Sequence, residues 1–442
     1  MHIQLSDHFT YGRLLRFVFP SIITMIFTSV YGMVDGFFVS NFVGKTPFAA
    51  LNLIMPFLML FGCLGFMFGT GGSALVARTL GEGDSRRANE IFSLLVMTAL
   101  VVGTVIMVIG LLLLRPVAVL LGAEGELLRH CMVYGGILLP AMPAFILQYL
   151  FQSFLITAEK PDLGLYVTVS AGVTNIVLDA LFIAVFDWGL AGAALATAGS
   201  QLMGGLLPLV YFLLPNKSLL RLVRPRFDGR ALLQTCLNGS SEMVSNLSMS
   251  LVGILYNLQL MRFAGENGVA AYGVIMYVNF IFIGIFVGFA VGSAPIVSYH
   301  FGAGNTDELR NLRRKSITFM LMSGILLTAA AVVLARPLAL IFVSYDAVLL
   351  DMTVHGFALY AVSFLFMGFN IFGSNFFTAL NNGPVSAAIS FLRTLVIQAA
   401  AILLLPELLA LDGVWLSITA AEAASLLITV FFLVTLRGRY RY

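Results

Sequence analysis

The sequence has little charge. Only 10% of its 442 residues are Asp, Glu, Lys or Arg, whereas 60% are hydrophobic and the mean hydropathy is +0.99. Soluble domains carry about 25% charged residues, so the composition excludes a water-soluble fold and indicates a polytopic membrane protein. The net charge of +3 is small, and the basic residues fall in short segments between apolar runs. We therefore expect no binding of nucleic acid.

Cysteine is scarce, and the motifs of common enzymes are missing. Cys63, Cys131 and Cys236 are odd in number and lie in apolar stretches without metal-ligand spacing, which predicts packing roles. The sequence has no Walker-type Gly-Lys-Ser/Thr, no His-Glu-x-x-His, no Gly-x-Ser-x-Gly and no cluster of His and Cys. We therefore expect neither an enzyme nor an ATP-driven pump. We also expect no cofactor, and transport driven by a gradient of a coupling ion, H⁺ or Na⁺.

Twelve apolar runs are long enough to cross a bilayer, for which about 20 residues suffice. Turn-forming segments such as Gly302-Ala303-Gly304-Asn305 separate them. The fold class predicted is therefore all-α and integral to the membrane. We number the runs spans 1 to 12, at roughly 14–41, 49–78, 91–114, 131–158, 164–186, 190–214, 232–261, 269–299, 316–335, 353–380, 385–406 and 413–436.

Lys and Arg are distributed unevenly between the two sides of these spans. With the N-terminus placed in the cytoplasm, eighteen of the 24 fall in cytoplasmic segments and five, including Lys45, in outer segments. Arg393 lies deep within a span, whereas Arg16 and Arg78 fall at the cytoplasmic ends of spans 1 and 2. The positive-inside rule then predicts a multi-pass protein of the cytoplasmic (inner) cell membrane with both termini in the cytoplasm.

The chain is an internal duplication. Shifting the sequence by 221 residues aligns it with itself without a gap from Phe42 to Ala158, and the matches include two glycine pairs and an Arg-Pro pair: Gly81/Gly302, Gly83/Gly304 and Arg115-Pro116/Arg336-Pro337. Each repeat holds six spans, an even number, so both enter the membrane in the same direction. This predicts two six-helix lobes, 1–220 and 221–442, related by a pseudo-twofold axis along the membrane normal, as in an alternating-access transporter.

Four polar residues of the first lobe are predicted to lie at one depth. Asp35 in span 1, Asp179 in span 5 and Thr197 in span 6 are each six or seven residues from the outer end, about 10 Å deep. Asn175 shares a helix face with Asp179. Two carboxylates, an amide and a hydroxyl can hold a monovalent cation such as Na⁺, or share a proton. The alternative is that each group satisfies a local backbone partner.

The second lobe has a different set of charges. Glu242 lies about ten residues into span 7 and Arg393 about eight into span 11, from the same side, which suggests an ion pair. A functional carboxylate at Glu242, for coupling or substrate, is the equal alternative. Glu422 in span 12 has no partner evident from the sequence. Polar residues that can line a cavity, each of which can also serve as an inter-helix hydrogen bond, are Asn52, Gln148, Gln152, Asn257, Asn279, Asn370 and Asn375.

With these features the chain resembles the MATE (multidrug and toxic compound extrusion) family over essentially its whole length. The resemblance rests on the two six-span repeats, the glycine turns after spans 2 and 8, and three motifs: Val34-Asp35-Gly36, Asn175 to Asp179, and Gly192-Ala193-Ala194-Leu195-Ala196-Thr197. The segment Gly413-Val414-Trp415-Leu416-Ser417 with Glu422 is similar to one bacterial branch.

The resemblance implies a MATE-like exporter of amphipathic organic cations in exchange for H⁺ or Na⁺. It also implies that Asp35, Asn175, Asp179 and Thr197 form the first-lobe cation site. Some members carry an acidic residue in span 10, where this chain has only His355 as an ionisable group. That difference argues against a sodium site on span 10. We expect a monomer whose partners are its substrates and membrane lipid.

Two other functions are compatible with such a chain. A flippase for a lipid-linked or amphipathic metabolite, from the same broad superfamily, would need cations in its cleft to hold a pyrophosphate. Deep within the spans lie four acids and one arginine, which disfavours it. A channel or scaffold belongs to a different class, and the duplication with a buried acid pair argues against it.

Overall fold

The computed structural model describes residues 3–344 and 346–442. The side chains at positions 36, 37, 39–41 and 45 lie outside the described residues, among them Lys45, one of the predicted outer cations, and Gly36 of the span 1 motif. The α-helices are Tyr11–Phe42, Lys45–Gly81, Ser85–Leu120, Gly125–Leu138, Met142–Thr157, Pro161–Asp179, Gly189–Leu213, Gly229–Gly302, Thr306–Val343, Ala347–Ala361, Phe364–Ala379, Gly383–Phe391, Gln398–Thr435 and Arg437–Tyr440. A 3₁₀ turn (Leu139–Ala141) and two π-helical segments (Ala180–Val185 and Leu392–Ile397) continue spans 4, 5 and 11.

These helices account for the twelve predicted spans. Within the described residues, nine continuous helices are long and apolar enough to cross a membrane, and a tenth crossing is a helix pair bent by 49° after Ala361. The helix Gly229–Gly302 has 74 residues, about 110 Å at 1.5 Å per residue, against a hydrocarbon core of about 30 Å. It breaks at Gly265, where φ is 61°, and the 53-residue run Gly383–Thr435 breaks at Ala410, where φ is 51°. Each therefore supplies two crossings.

The apolar side chains form two cores. One is built from residues between 50 and 231, and the other from residues between 252 and 442 together with Ile156 and a group near the start of the chain. Leu5 to Ile22, at the start of the chain, belong to the second core, so span 1 contacts both halves of the sequence. Cys63 and Cys131 are buried and Cys236 is partly buried, all as free thiols.

The two halves meet closely at the end of the bundle that carries both chain termini, which we call the terminus side. A Cβ atom on Gly81 would lie 2.0 Å from the carbonyl oxygen of Tyr299, and one on Gly302 would lie 2.0 Å from that of Arg78. No larger residue fits at either position. The repeated glycine pair found in the sequence thus makes the same inter-helix contact twice, once from each repeat.

A short segment before span 1 also joins the halves at the terminus side. In this N-terminal strap, residues 3–10, the Leu5 N–H donates to Glu159 Oε1 (2.6 Å) and the Phe9 N–H donates to Glu308 Oε1 (2.9 Å). His8 Nδ1 lies 2.6 Å from Glu308 Oε2. The Leu5 and Phe9 side chains are fully buried, so the strap is part of the packed structure.

Glu308 is the polar anchor of the strap and lies in the first turn of its helix, before span 9. Burial acts to raise the pKa of this carboxyl, but hydrogen bonds from the Phe9 N–H, the Asn311 amide and His8 outweigh it. The pKa of Glu308 is therefore lower than its ordinary value, and the strap favours the ionised form.

Candidate functional site

Spans 1 and 5 bring three of the predicted first-lobe residues together. Asp179 is fully buried and Asn175, one turn earlier on the same helix, is 1% exposed. The carboxyl groups of Asp35 and Asp179 lie close enough to interact electrostatically, and the Asn175 side chain adjoins Asp35. The positions predicted from equal depth therefore do converge in space.

Most oxygen atoms of this group have no hydrogen-bond donor. Asp35 Oδ1, Asn175 Oδ1 and both carboxylate oxygens of Asp179 are buried without a partner among the described residues. No Lys, Arg or His of the described residues forms an ion pair with either aspartate. Two carboxyl groups can hydrogen-bond only if one is protonated, so the arrangement suits a proton or a small cation.

Two hydroxyl groups border the carboxyl pair. Thr197 Oγ1 donates to the Ala193 carbonyl oxygen at 3.0 Å, which leaves its lone pairs free to accept a hydrogen bond or contact a cation. Tyr134 is fully buried and its hydroxyl group lies beside Thr197, within electrostatic range of Asp35. The sequence reasoning missed Tyr134. The signal in the sequence that could have identified Tyr134 is the presence of a hydroxyl group within the apolar span 4.

The helix changes type directly after Asp179. The α-helix Pro161–Asp179 continues as the π-helical segment Ala180–Val185. π-helical turns are rare and occur frequently at functional sites. The wider turn changes the direction in which the following side chains point, so the carboxylate lies at a local change in helix geometry.

A crevice in the same lobe contains two of the predicted amides. Gln148 and Gln152 lie in its wall, together with Thr28, Tyr31 and Tyr149 from spans 1 and 4. Gln148 Oε1 is buried without a hydrogen-bond partner among the described residues. The crevice therefore brings an unsatisfied amide oxygen and aromatic rings together.

The other five predicted cavity residues are not gathered in one place. Asn52 and Asn257 are exposed on the helices, and the Asn52 amide donates to the Phe48 carbonyl oxygen at 2.9 Å. Asn279 and Asn375 are buried. Asn370 is fully buried inside the second lobe and donates to Glu422, the inter-helix hydrogen bond given as the alternative role for these residues.

In the second lobe, Arg393 pairs with Glu422. Arg393 Nε lies 3.0 Å from both Glu422 carboxylate oxygens, and Nη2 lies 2.8 Å from Oε1. The Asn370 amide donates to Glu422 Oε2 at 2.7 Å, and the Thr429 hydroxyl donates to Asn370 Oδ1 at 2.8 Å. The pairing of Arg393 with Glu242, one of the two alternatives for Glu242, was therefore wrong, and the structure supplies for Glu422 a partner that the sequence did not reveal. Equal depth did not reveal which helices are adjacent.

Glu242 remains without a hydrogen-bonded cation in the described part of the chain. It is partly exposed, lies beside Asn375, and is within electrostatic range of Arg393 in its own lobe and of Cys63 in span 2. Its neighbours in both halves of the sequence place it at the junction between the lobes.

His355 lies at the opposite end of the bundle from the termini. Its Nε2 atom is 2.8 Å from Asp412 Oδ1, and both side chains are more than half exposed. The pair joins spans 10 and 12 at the surface. It takes no part in the buried polar groups of either lobe.

Comparison with known proteins assigns the chain to one group. The sequence model of the MatE family matches residues 20–181 and 243–403, one match in each repeat. The multidrug export protein MepA of Staphylococcus saprophyticus is 25% identical over 431 residues, covering 96% of this chain and 94% of that protein. MepA of Staphylococcus haemolyticus is 25% identical over 437 residues, covering 97% and 94%.

Solved structures show the same fold. A crystal structure of MATE in complex with MaL6 superposes with a TM-score of 0.94 at 22% identity, covering 98% of each chain. An outward-facing multidrug resistance MATE family transporter of the MOP superfamily superposes with a TM-score of 0.93 at 23% identity, covering all of this chain and 98% of that one. These similarities confirm the predicted twelve-helix, two-lobed architecture.

Proposed function

Because the chain belongs to the MatE family, whose members are membrane transporters and not enzymes, we propose that it exports amphipathic organic cations in exchange for H⁺ or Na⁺. The relatives named as multidrug export proteins support export of several compounds. The observation that carries the exchange mechanism is the buried carboxyl pair of Asp35 and Asp179, whose oxygens lack donors.

The carboxyl pair couples transport to the ion. Two ionised carboxylates in contact inside an apolar lobe are unstable unless a cation lies between them or one is protonated. Asn175 and Thr197 supply neutral oxygens that suit either ligand. Binding changes the local charge by one, which biases the helices toward whichever access state has the higher affinity for the ion.

Substrate binds in the cleft between the lobes. Glu242 is the carboxylate there without a hydrogen-bonded cation in the described residues, so it attracts a positively charged compound. The chain has 38 Phe and 14 Tyr, and aromatic rings favour cationic compounds through cation–π and apolar contact. Such contacts accept varied shapes, as multidrug transport requires.

The moving units are the lobes 1–220 and 221–442, with the terminus side in the cytoplasm. Contacts such as Gly81 with Tyr299 and Gly302 with Arg78 close that side, and the N-terminal strap ties it further. Closure at the cytoplasm leaves the cleft to open outward. A tag on the C-terminus detected only after the cell membrane is permeabilised supports this orientation, and a tag detected on intact cells rejects it.

The lipid-metabolite flippase is disfavoured by the ion pair in the second lobe. A pyrophosphate needs exposed cations, and the guanidinium of Arg393, the one cation deep within the predicted spans, is bonded to Glu422 and only 14% exposed. Little of it is left to receive a phosphate.

The direct test uses purified protein in proteoliposomes. Efflux of ethidium is measured after an imposed H⁺ gradient, an imposed Na⁺ gradient, or neither. Transport driven by one of the two gradients supports ion-coupled export and identifies the ion. Transport of anionic compounds alone, or equal transport without a gradient, rejects the proposal.

A further inference from the structure

The second lobe contains a carboxylate that is neutralised from within the chain. The side chain of Glu422 is 4% exposed and that of Arg393 is 14% exposed, and three N–O distances of 2.8 to 3.0 Å join them. The Asn370 amide also donates to the backbone carbonyl oxygen of Glu422, at 2.9 Å. The geometry is that of a forked guanidinium–carboxylate pair, which Arg is suited to form.

The internal repeat shows how the two lobes have diverged at the cation site. The shift of 221 residues places Tyr256 at the position of Asp35. The Tyr256 hydroxyl lies 2.7 Å from Ser417 Oγ, a neutral hydrogen bond between spans 7 and 12. Where the first lobe has a carboxylate with an unpartnered oxygen, the second lobe therefore has a satisfied hydroxyl pair.

The same shift relates Glu422 to Gln201 of span 6. The shift of 221 residues applies in this region because Gly192 and Gly413, also 221 apart, occupy equivalent positions. Each packs against the backbone near the end of the preceding span, at Phe182 and Leu405 respectively. The first lobe thus carries a neutral amide where the second has the buried acid. Each lobe contains buried acid, but among the described residues only the second lobe has a cation paired with it.

We infer that Arg393 keeps the second lobe insensitive to the coupling ion, because its guanidinium stands permanently in the place of an exchangeable cation beside Glu422. Exchange then takes place in the first lobe alone. The inference rests on the proposed function for the meaning of the coupling ion, but not for the existence of the pair.

The physical reason lies in the cost of an uncompensated buried charge. Without Arg393, Glu422 would retain the Asn370 amide and the hydroxyl groups of Tyr256 and Tyr360 nearby, none of which carries positive charge. A buried carboxylate left in that state is strongly destabilised unless it takes up H⁺ or binds a cation. Removal of the arginine should therefore create a cation-responsive site.

The test measures thermal unfolding of purified protein in detergent. The starting protein carries Asp35→Asn and Asp179→Asn, which removes the first-lobe response. With Arg393 intact, its midpoint should not change when Na⁺ replaces choline at constant ionic strength. Adding Arg393→Met should give a midpoint that rises by a few degrees with Na⁺ or with falling pH, since a ligand that binds only the folded state stabilises it.

Two further variants isolate Glu422. Arg393→Met with Glu422→Gln should lose the acquired response, because the carboxylate at position 422 is no longer there to bind the cation. The difference in response between this protein and Arg393→Met alone excludes a contribution from Glu242. Arg393→Lys keeps a tethered cation and should remain unresponsive. Recovery of folded Arg393→Met protein only in Na⁺ or at low pH is the same positive result.

Three outcomes overturn the inference. They are an Arg393→Met variant that folds without any response to cations, one that cannot be recovered under any ionic condition, and a response to Na⁺ already present with Arg393 intact. The proposed function is tested separately, by whether unmodified protein responds to H⁺ or Na⁺ and loses that response in Asp35→Asn with Asp179→Asn. Each idea can therefore fail without the other.

Discussion

Replacement of Asp35 by Asn is expected to stop ion-driven export while leaving the protein folded and inserted. Asn has nearly the same shape as Asp but no charge, so the buried packing around spans 1 and 5 is retained. The variant removes one of the two carboxyl groups that face each other. What it removes is the requirement for a cation between them.

The size of the effect follows from the contact between the two groups. Two unit charges about 4 Å apart repel by about 4 kcal/mol at an effective dielectric constant of 20. At about 1.4 kcal/mol per factor of ten, the preference of the site for the cation-bound state falls by about three orders of magnitude. A tenfold ion gradient supplies only about 1.4 kcal/mol and cannot restore the coupling. Gradient-driven efflux should drop to about one-hundredth of the unmodified rate or less.

The assay is ethidium efflux from proteoliposomes under an imposed H⁺ or Na⁺ gradient, with the amount of inserted protein measured for each variant. The matched control is Asp307→Asn, the same chemical change at a side chain that is 93% exposed, which should transport normally. If Asp35→Asn transports at the unmodified rate with equal insertion, the first lobe is not the coupling site and the reasoning is wrong.

Three more predictions follow from the same structure. Asn175→Ala or Thr197→Ala removes a neutral oxygen and not a charge, so the ion concentration for half-maximal efflux should rise by about tenfold while the maximal rate is kept; an unchanged ion dependence would refute their role. Glu242→Gln should weaken binding of cationic drugs in equilibrium binding assays. Glu266→Gln, at an exposed residue directly after the break at Gly265, should not, and equal binding by both variants would remove Glu242 from the cleft site. Glu308→Gln should lower the unfolding midpoint at neutral pH. Because the folded-state pKa of Glu308 lies below the ordinary 4.5, the difference in midpoint from unmodified protein should be full above about pH 5 and shrink as the pH falls. A difference in midpoint that does not depend on pH would contradict an ionised anchor.

The sequence alone determined the class, the number of spans and the duplication. Partition of a long apolar run into a bilayer depends on local composition, which can be read without a fold. The paired glycines Gly81 and Gly302 indicated the repeat, and the structure shows why each has to be glycine. The depth of Asp35 and Asp179 along their helices was also local information, since each residue adds a fixed rise.

The tertiary structure alone decided which polar groups touch. Depth along a helix gives one coordinate, but neither the direction in which a side chain points nor which helix is its neighbour. For that reason the sequence suggested an ion pair between Arg393 and Glu242, whereas the packing of span 11 against span 12 pairs Arg393 with Glu422. Likewise, only the packing of the N-terminal strap between Glu159 and Glu308 reveals that residues before the first span tie the two halves together, because contacts 154 and 299 residues apart leave no periodic trace in the sequence.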